Sequence, residues 1–196
     1  MLLGHSHPNV IKAIEKELKR GLGLGGPTIL EAEISEEIIN RFPSVDQVRF
    51  ANSGTEASLH ATRMVKTITG RPKIAKFEGA YHGSHDALEV SVATPLDKAG
   101  DSASPNAVGG QKGMSSSAEE DVIILPYNDI ESVELILREN KDQIAGVFYD
   151  SKLGLLDIPH EFTRFVRDIT KELEIPMVMD EVVSFRTGYS GAQGLA

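Results

Sequence analysis

Three short stretches combine residue types that could do chemistry. In Asn52-Ser53-Gly54-Thr55-Glu56-Ala57, two hydroxyls flank a glycine at the start of a helical pattern. The first N–H groups of a helix lack internal partners and lie at the positive end of its dipole. An anion such as a phosphate fits there, with Gly54 allowing close approach and Ser53 and Thr55 adding hydroxyl donors. Ser53 and Glu56 also have the spacing of a plain capping box. The six residues alone leave both readings open.

The second stretch, Phe77-Glu78-Gly79-Ala80-Tyr81-His82-Gly83, brackets an aromatic residue and a histidine with glycines where a strand ends. Tyr81 could stack on a flat ring and His82 could line the same pocket. A half-buried tyrosine in a tight turn is the plainer alternative. The third, Met179-Asp180-Glu181-Val182, closes an apolar strand. Alternation puts Asp180 and Val182 on one face and Glu181 on the other. A carboxylate there is costly unless it meets a cation or hydrogen-bond donors. A protonated ring nitrogen would serve, with Val182 packing under the ring; a metal ion or a helix start would serve as well.

These stretches need a scaffold that brings them together. Helical periods run over Pro8–Arg20, about 29–41, Thr55–Ile68, Ile130–Arg138 and His160–Leu173. Between them lie extended or apolar runs at Gln47–Ala51, Lys73–Phe77, Ala87–Val92, Val122–Leu125, Ile144–Tyr149 and Met177–Met179. Helices between strands imply crossover connections and a mostly parallel sheet, so the expected class is α/β. In such sheets ligands bind at the carboxyl ends of central strands; the strand carrying Asp180 is expected to be one of these in the complete sheet, and this chain is expected to leave the sheet with an open apolar edge. An N-terminal helical segment, 1–45, is expected to lead into a large domain over 46–196. The run 93–121 is rich in Ser, Gly, Ala and Pro and lacks a period, so it reads as either a functional lid or a disordered insertion.

Composition narrows the partners. A formal charge of -9 argues against nucleic acid or an anionic membrane as the main one. It leaves room for a single phosphate, which is held by local dipoles. With no cysteine, disulfides and thiolate metal sites are out. No basic segment followed by an apolar one opens the chain and no run has the length of a membrane span, so the cytoplasm is the default compartment. The run Gly21-Leu22-Gly23-Leu24-Gly25-Gly26 matches a dinucleotide-binding pattern but follows a helix and precedes Pro27, so its context fails. His82 and His85 have no helical frame and no clear third ligand group, and no metal is assigned.

Read in order, Gly4-His5-Ser6-His7-Pro8, Asn52–Ala57, Thr69-Gly70-Arg71, Lys76–Gly83 and Asp180-Glu181-Val182 resemble the class III aminotransferases. Glutamate-1-semialdehyde aminomutase-like members are the most similar. The resemblance covers nearly the whole chain. It implies a fold type I pyridoxal-phosphate transferase, here an incomplete large domain with helices flanking a mostly parallel sheet. It also implies a homodimer acting on a small-molecule amino donor and acceptor. Carried over by motif, Ser53, Gly54 and Thr55 hold the cofactor phosphate, Tyr81 stacks on the pyridine ring with His82 beside it, Asp180 pairs with the ring nitrogen, and Val182 packs on the other ring face. The family's Schiff-base lysine has no match here, because the eleven lysines all precede Asp180. The chain is therefore expected to be an inactive piece of a longer reading frame; the alternative is a non-catalytic α/β protein that binds pyridoxal phosphate or another phosphate ligand. Where relatives carry Glu-Pro-Val, this chain has Asp150-Ser151-Lys152-Leu153-Gly154. That difference and the 93–121 run favour an aminomutase-like aminotransferase of unknown substrate over the aminomutase itself.

Overall fold

Periodicity places most elements correctly in the computed structural model, which describes residues 2–23, 25–151 and 159–195. The chain divides into two compact units, Met1–Val48 and Arg49–Ala196. The first holds α1 (Pro8–Leu18), with proline in its first turn, and α2 (Ile29–Arg41). A reciprocal capping box starts α2. The Glu31 N–H donates to Thr28 Oγ1 at 3.2 Å, and the Thr28 N–H donates to the Glu31 carboxylate at 2.6 Å.

The second unit runs α3 (Gly54–Thr69), β1 (Lys73–Phe77), α4 (Asp86–Glu89), β2 (Gly100–Asp101), β3 (Ser104–Pro105), α5 (Ser116–Glu120), β4 (Val122–Leu125), α6 (Ile130–Asn140), β5 (Ile144–Asp150), α7 (His160–Glu172) and β6 (Met177–Asp180). Four strands form one sheet in the order β4-β1-β5-β6, with every pairing parallel. This is the expected α/β architecture.

Burial on both faces explains why the inner strands read as unbroken apolar runs. On one face Ala75, Phe77, Val147 and Tyr149 meet Val133 and Leu137 of α6 and Phe162, Val166 and Ile169 of α7. On the other, Ile74, Ala145 and Phe148 pack with Val65 of α3 and with Leu88 and Val90. The first face is rich in aromatics. Phe77 stacks on Tyr127 with centroids 4.6 Å apart and meets Tyr149 edge-on at 5.4 Å. Burial comes first in pushing the Tyr127 phenol upward, followed by the Asp150 charge, so it stays a donor and bonds the Asp150 carbonyl at 3.2 Å.

Three expectations need correction. Residues 47–51 form no strand, and Phe50 is 43% exposed; β-propensity without a neighbouring ladder is not enough. Residues 87–92 are not extended. His85 O accepts the N–H groups of Leu88 and Glu89, which winds the short α4. The run 93–121 is not a disordered insertion. It holds the β2–β3 hairpin and α5, and the Ser91 hydroxyl ties it down by accepting from Val108 N–H and donating to Asn106 O, both at 3.0 Å. As expected for this chain, β6 lies at an edge among the described strands, and its residues are only partly buried, whereas β5 is buried along almost its whole length.

One close contact ties α3 to the sheet. A Cβ on Gly146, in the middle of β5, would lie 3.0–3.1 Å from three side-chain atoms of Val65. Val65 is 1% exposed and stiff at χ1 in its helix, so it has little room to yield. Gly146→Ala is therefore expected to destabilise the protein by about 1–3 kcal/mol, and adding Val65→Ala should recover part of that loss. Urea unfolding of the single and double variants checks it, and an unchanged midpoint in Gly146→Ala would show that α3 moves away freely.

Candidate functional site

The carboxyl ends of β5 and β6, the loop after β1 and the first turns of α3 surround a cleft of about 760 Å³. Gly54, Thr55, Tyr81, His82, Asp180 and Val182 all line it. Three motifs spread over more than half of the sequence are thus brought together. Ser53 is the exception, since it stands just outside the lining as the N-cap of α3.

At that cap both sequence readings coexist. The Ser53 Oγ accepts the Glu56 N–H at 3.2 Å, and the Glu56 carboxylate takes the Asn52 N–H at 2.7 Å. The hydroxyl proton of Ser53 is not consumed by the cap. The N–H groups of Gly54 and Thr55 precede the first intrahelical bond, which runs from the Ala57 N–H to Ser53 O. A Cβ built on Gly54 meets nothing within 4 Å. The protein itself would accept a methyl group there, and the open space faces the cleft. The arrangement is an anion cradle at a helix N-terminus.

The loop after β1 is fastened to this cradle. Gly83 has φ +105°, and a Cβ there would come within 2.8 Å of Thr55 Cα. Its neighbour Ser84 donates its N–H to Thr55 Oγ1 at 3.1 Å, and the Ser84 hydroxyl bonds the Tyr81 hydroxyl at 2.9 Å. The Tyr81 ring is held from its far end and is still 52% exposed, so its face is open to a planar partner.

His82 is buried, with its ring centroid 5.8 Å from that of Phe148. Its Nδ1 lies 2.9 Å from the Asp180 carboxylate oxygen Oδ2, while the other oxygen, Oδ1, accepts the Val182 N–H at 3.0 Å. An ionised carboxylate only accepts, so Nδ1 carries the proton in this contact. Nε2 is buried with no hydrogen-bond partner. The neutral Nδ1–H tautomer fits, because it places a lone pair there and not a desolvated donor. The bond to Val182 also overturns the alternation argument. The strand ends at Asp180, the chain turns, and Asp180, Glu181 and Val182 all face one cleft. Val182 is 82% exposed, which leaves its apolar surface open.

Two groups of contacts were not read from the sequence. Gly54, Ala57, Ser58 and Ala61 form a stripe of small residues along the cleft side of α3. Their helical spacing was the available signal. The Glu181 carboxylate accepts both the backbone N–H and the side-chain amide of Gln193 at 3.0 Å, folding the chain back over the end of β6. That contact spans an irregular loop, and no local pattern marks it. Lys152-Leu153-Gly154 and Leu24 lie outside the described residues. Among the described residues, no three His, Asp or Glu side chains stand close enough to hold a metal, and no helix is long and apolar enough to cross a membrane.

A parallel sheet whose strand ends share a cleft with a helix N-terminus, an exposed aromatic side chain and a hydrogen-bonded carboxylate defines an α/β domain with a ligand-sized site. The chain belongs to the class-III aminotransferase family, whose profile matches residues 1–194. It is 38% identical, over 98% of its own length, to a glutamate-1-semialdehyde 2,1-aminomutase from Ignicoccus hospitalis, and 40% identical to one from Clostridium novyi. An omega-transaminase structure from Sphaerobacter thermophilus superposes with a TM-score of 0.92 at 37% identity over 98% of the chain. A structure described as a transaminase with PLP bound does so at 0.84 and 34%. The chain spans 45% and 44% of the two aminomutases and 44% of each of those structures. The fold is that of the pyridoxal-phosphate transaminases.

Two outcomes follow from the packing. Gly83→Ala forces a left-handed backbone and a clash with Thr55, and is expected to cost about 1–3 kcal/mol of stability, read from urea unfolding. His85, at the start of α4, is held below its ordinary 6.5 mainly by burial, with Asp86 opposing and Lys66 adding to the shift. The unfolded chain then takes up the proton more readily, so this stability is complete above pH 6.5 and lost as pH falls below it. The melting temperature of His85→Gln should fall less steeply than that of the parent over this range; parallel curves would contradict the assignment.

Proposed function

We propose that this cleft holds pyridoxal 5'-phosphate and that the protein carries out amino-group transfer, as an aminotransferase or an aminomutase-like enzyme. The observation that carries the reading is the polarity of the cleft. The positive end of α3 and the His82-supported carboxylate of Asp180 line the same space, which suits a ligand with a phosphate on one side and a protonated ring nitrogen on another. In this reading the Gly54 and Thr55 N–H groups and the Ser53 and Thr55 hydroxyls donate to the phosphate. Tyr81 and Val182 lie against the two ring faces.

When bound, pyridoxal phosphate supplies a ring that withdraws electrons from the carbon bearing the amino group. The chain's part is to make the ring a strong acceptor. Asp180, kept ionised and oriented by the donors His82 and Val182, holds a proton on the ring nitrogen. No lysine lines the cleft among the described residues, and in this reading the covalent anchor is none of the chain's eleven lysines. The reading extends, on family membership, to a homodimer in the cytoplasm that takes a small-molecule amino donor and acceptor, with 46–196 as the cofactor-binding domain. Within it we favour an aminotransferase over the aminomutase itself, on the sequence departures at Asp150-Ser151-Lys152-Leu153-Gly154 and over 93–121.

Asp180→Asn in the full-length enzyme is expected to abolish transamination with little loss of stability, because an amide does not hold the ring proton as a carboxylate does. Ser53→Ala should chiefly weaken cofactor retention, by the roughly 1.5–3 kcal/mol of a hydrogen bond to a charged group. Near-normal turnover in Asp180→Asn would remove the assignment. The 196-residue chain alone, mixed with cofactor, reduced with borohydride and mapped by peptide, should show no lysine labelled stoichiometrically. A single fully labelled lysine would refute the external anchor.

A further inference from the structure

Lys76 is a lysine with no exposure at all, the next-to-last residue of β1, which is paired on both sides. On β1 it shares a face with Ile74, the face covered by α3. In register across the sheet it pairs with Phe148 of β5, which pairs with Val178 of β6. Asp180 lies two residues beyond Val178 and so points to the same face. The His82 ring packs against Phe148. Lys76 therefore occupies the layer directly beneath the His82–Asp180 contact.

Its ammonium donates to Leu88 O at 3.1 Å and to Val90 O at 2.5 Å. Both carbonyls lie at the end of the one-turn α4, where no later turn of helix can satisfy them. A methionine would fill the same volume without the desolvation cost of a buried charge. What methionine lacks is the Nζ donors, which tie the end of β1 to the far side of the loop carrying Tyr81 and His82. A second tie runs beside it, from the Gly79 N–H to Ser91 O at 2.9 Å, with Ser91 itself at φ 52°. The loop is thus closed at its base by Lys76 and Gly79, and its apex is fixed on α3 by Ser84 and Thr55.

We propose that Lys76 is a positioning residue: it closes the 77–90 loop so that His82 Nδ1 meets the Asp180 carboxylate and Tyr81 faces the cleft. This rests on the cofactor reading only for its effect on binding, since the His82–Asp180 contact is observable without cofactor. The test uses the full-length protein with and without pyridoxal phosphate. Proton NMR with nitrogen-labelled histidine should show the His82 Nδ1–H in the cofactor-free parent, assigned by its loss in His82→Asn. In Lys76→Met, with circular dichroism unchanged, that signal should vanish through solvent exchange. The cofactor dissociation constant should rise about tenfold, as when a bound group loses a supporting contact. Retention of both the signal and the affinity would overturn the proposal.

A chemical rescue uses a cysteine at position 76 as the sole cysteine; these 196 residues contain none, and any elsewhere in the full-length protein are replaced by serine. Lys76→Cys, alkylated while unfolded to carry an aminoethyl group and then refolded, should regain the signal, whereas a neutral propyl group should not. Equal recovery by the two would show that Lys76 only fills space. If the variants do not fold, hydrogen exchange in the parent decides: the Gly79 N–H and His82 Nδ1–H should open as one unit, and independent opening refutes the claim. A His82 signal that depends on Lys76 in a protein that binds no cofactor would sink the cofactor reading and leave this one standing.

Discussion

An ionised carboxylate at the end of a half-buried strand has to be surrounded by donors, and much of this molecule is arranged around that requirement. Asp180 takes one N–H from the turn that follows it and one from His82, which arrives from a loop 98 residues earlier in the chain. For His82 to be there, its loop must be fastened at both base and apex, and its ring needs Phe148 beneath it. The apex fastening runs through Thr55, so the positive end of α3 is set against the same cleft. Opposite charges are kept available around one space without neutralising each other. A ligand bearing both signs can then satisfy each.

Glycine enters this design in two different ways. Gly83 and Gly146 are glycines because the protein's own atoms leave no room, at Thr55 and Val65 respectively. Gly54 is crowded by nothing, as are Gly4, Gly23, Gly25, Gly26, Gly70 and Gly113, but alone among these it lines the cleft. Open space beside the first N–H groups of a helix is compatible with an anion there. The capping interactions of Ser53 and Glu56 do not compete with it, because they use the acceptor side of the Ser53 hydroxyl.

The α/β class and most helices and strands were legible, since buried parallel strands such as Ile144–Asp150 read as continuous apolar runs. Six of the seven cofactor-site residues named from the motifs line the cleft, and Ser53 caps the adjoining helix. What the sequence hid depends on long-range contacts. Residues 47–51 have strand-forming composition but no described partner. Residues 87–92 became a helical turn with Lys76 bound to its last carbonyls. Alternation failed beyond Asp180 because the side chain bonds its own backbone and turns the chain. The link from His82 to Asp180 could not be seen either, as spacing along the chain says nothing about which nitrogen meets which oxygen.

The central claim is that Asp180, held by His82, keeps a proton on the ring nitrogen of the bound cofactor. Nitrogen NMR of the full-length protein loaded with pyridoxal phosphate labelled at that nitrogen tests this directly. The account predicts a protonated ring nitrogen that resists titration well above the pH at which the free cofactor loses its proton, and loss of that resistance in Asp180→Asn. A ring nitrogen that titrates as in the free cofactor, or identically in the two proteins, would contradict it.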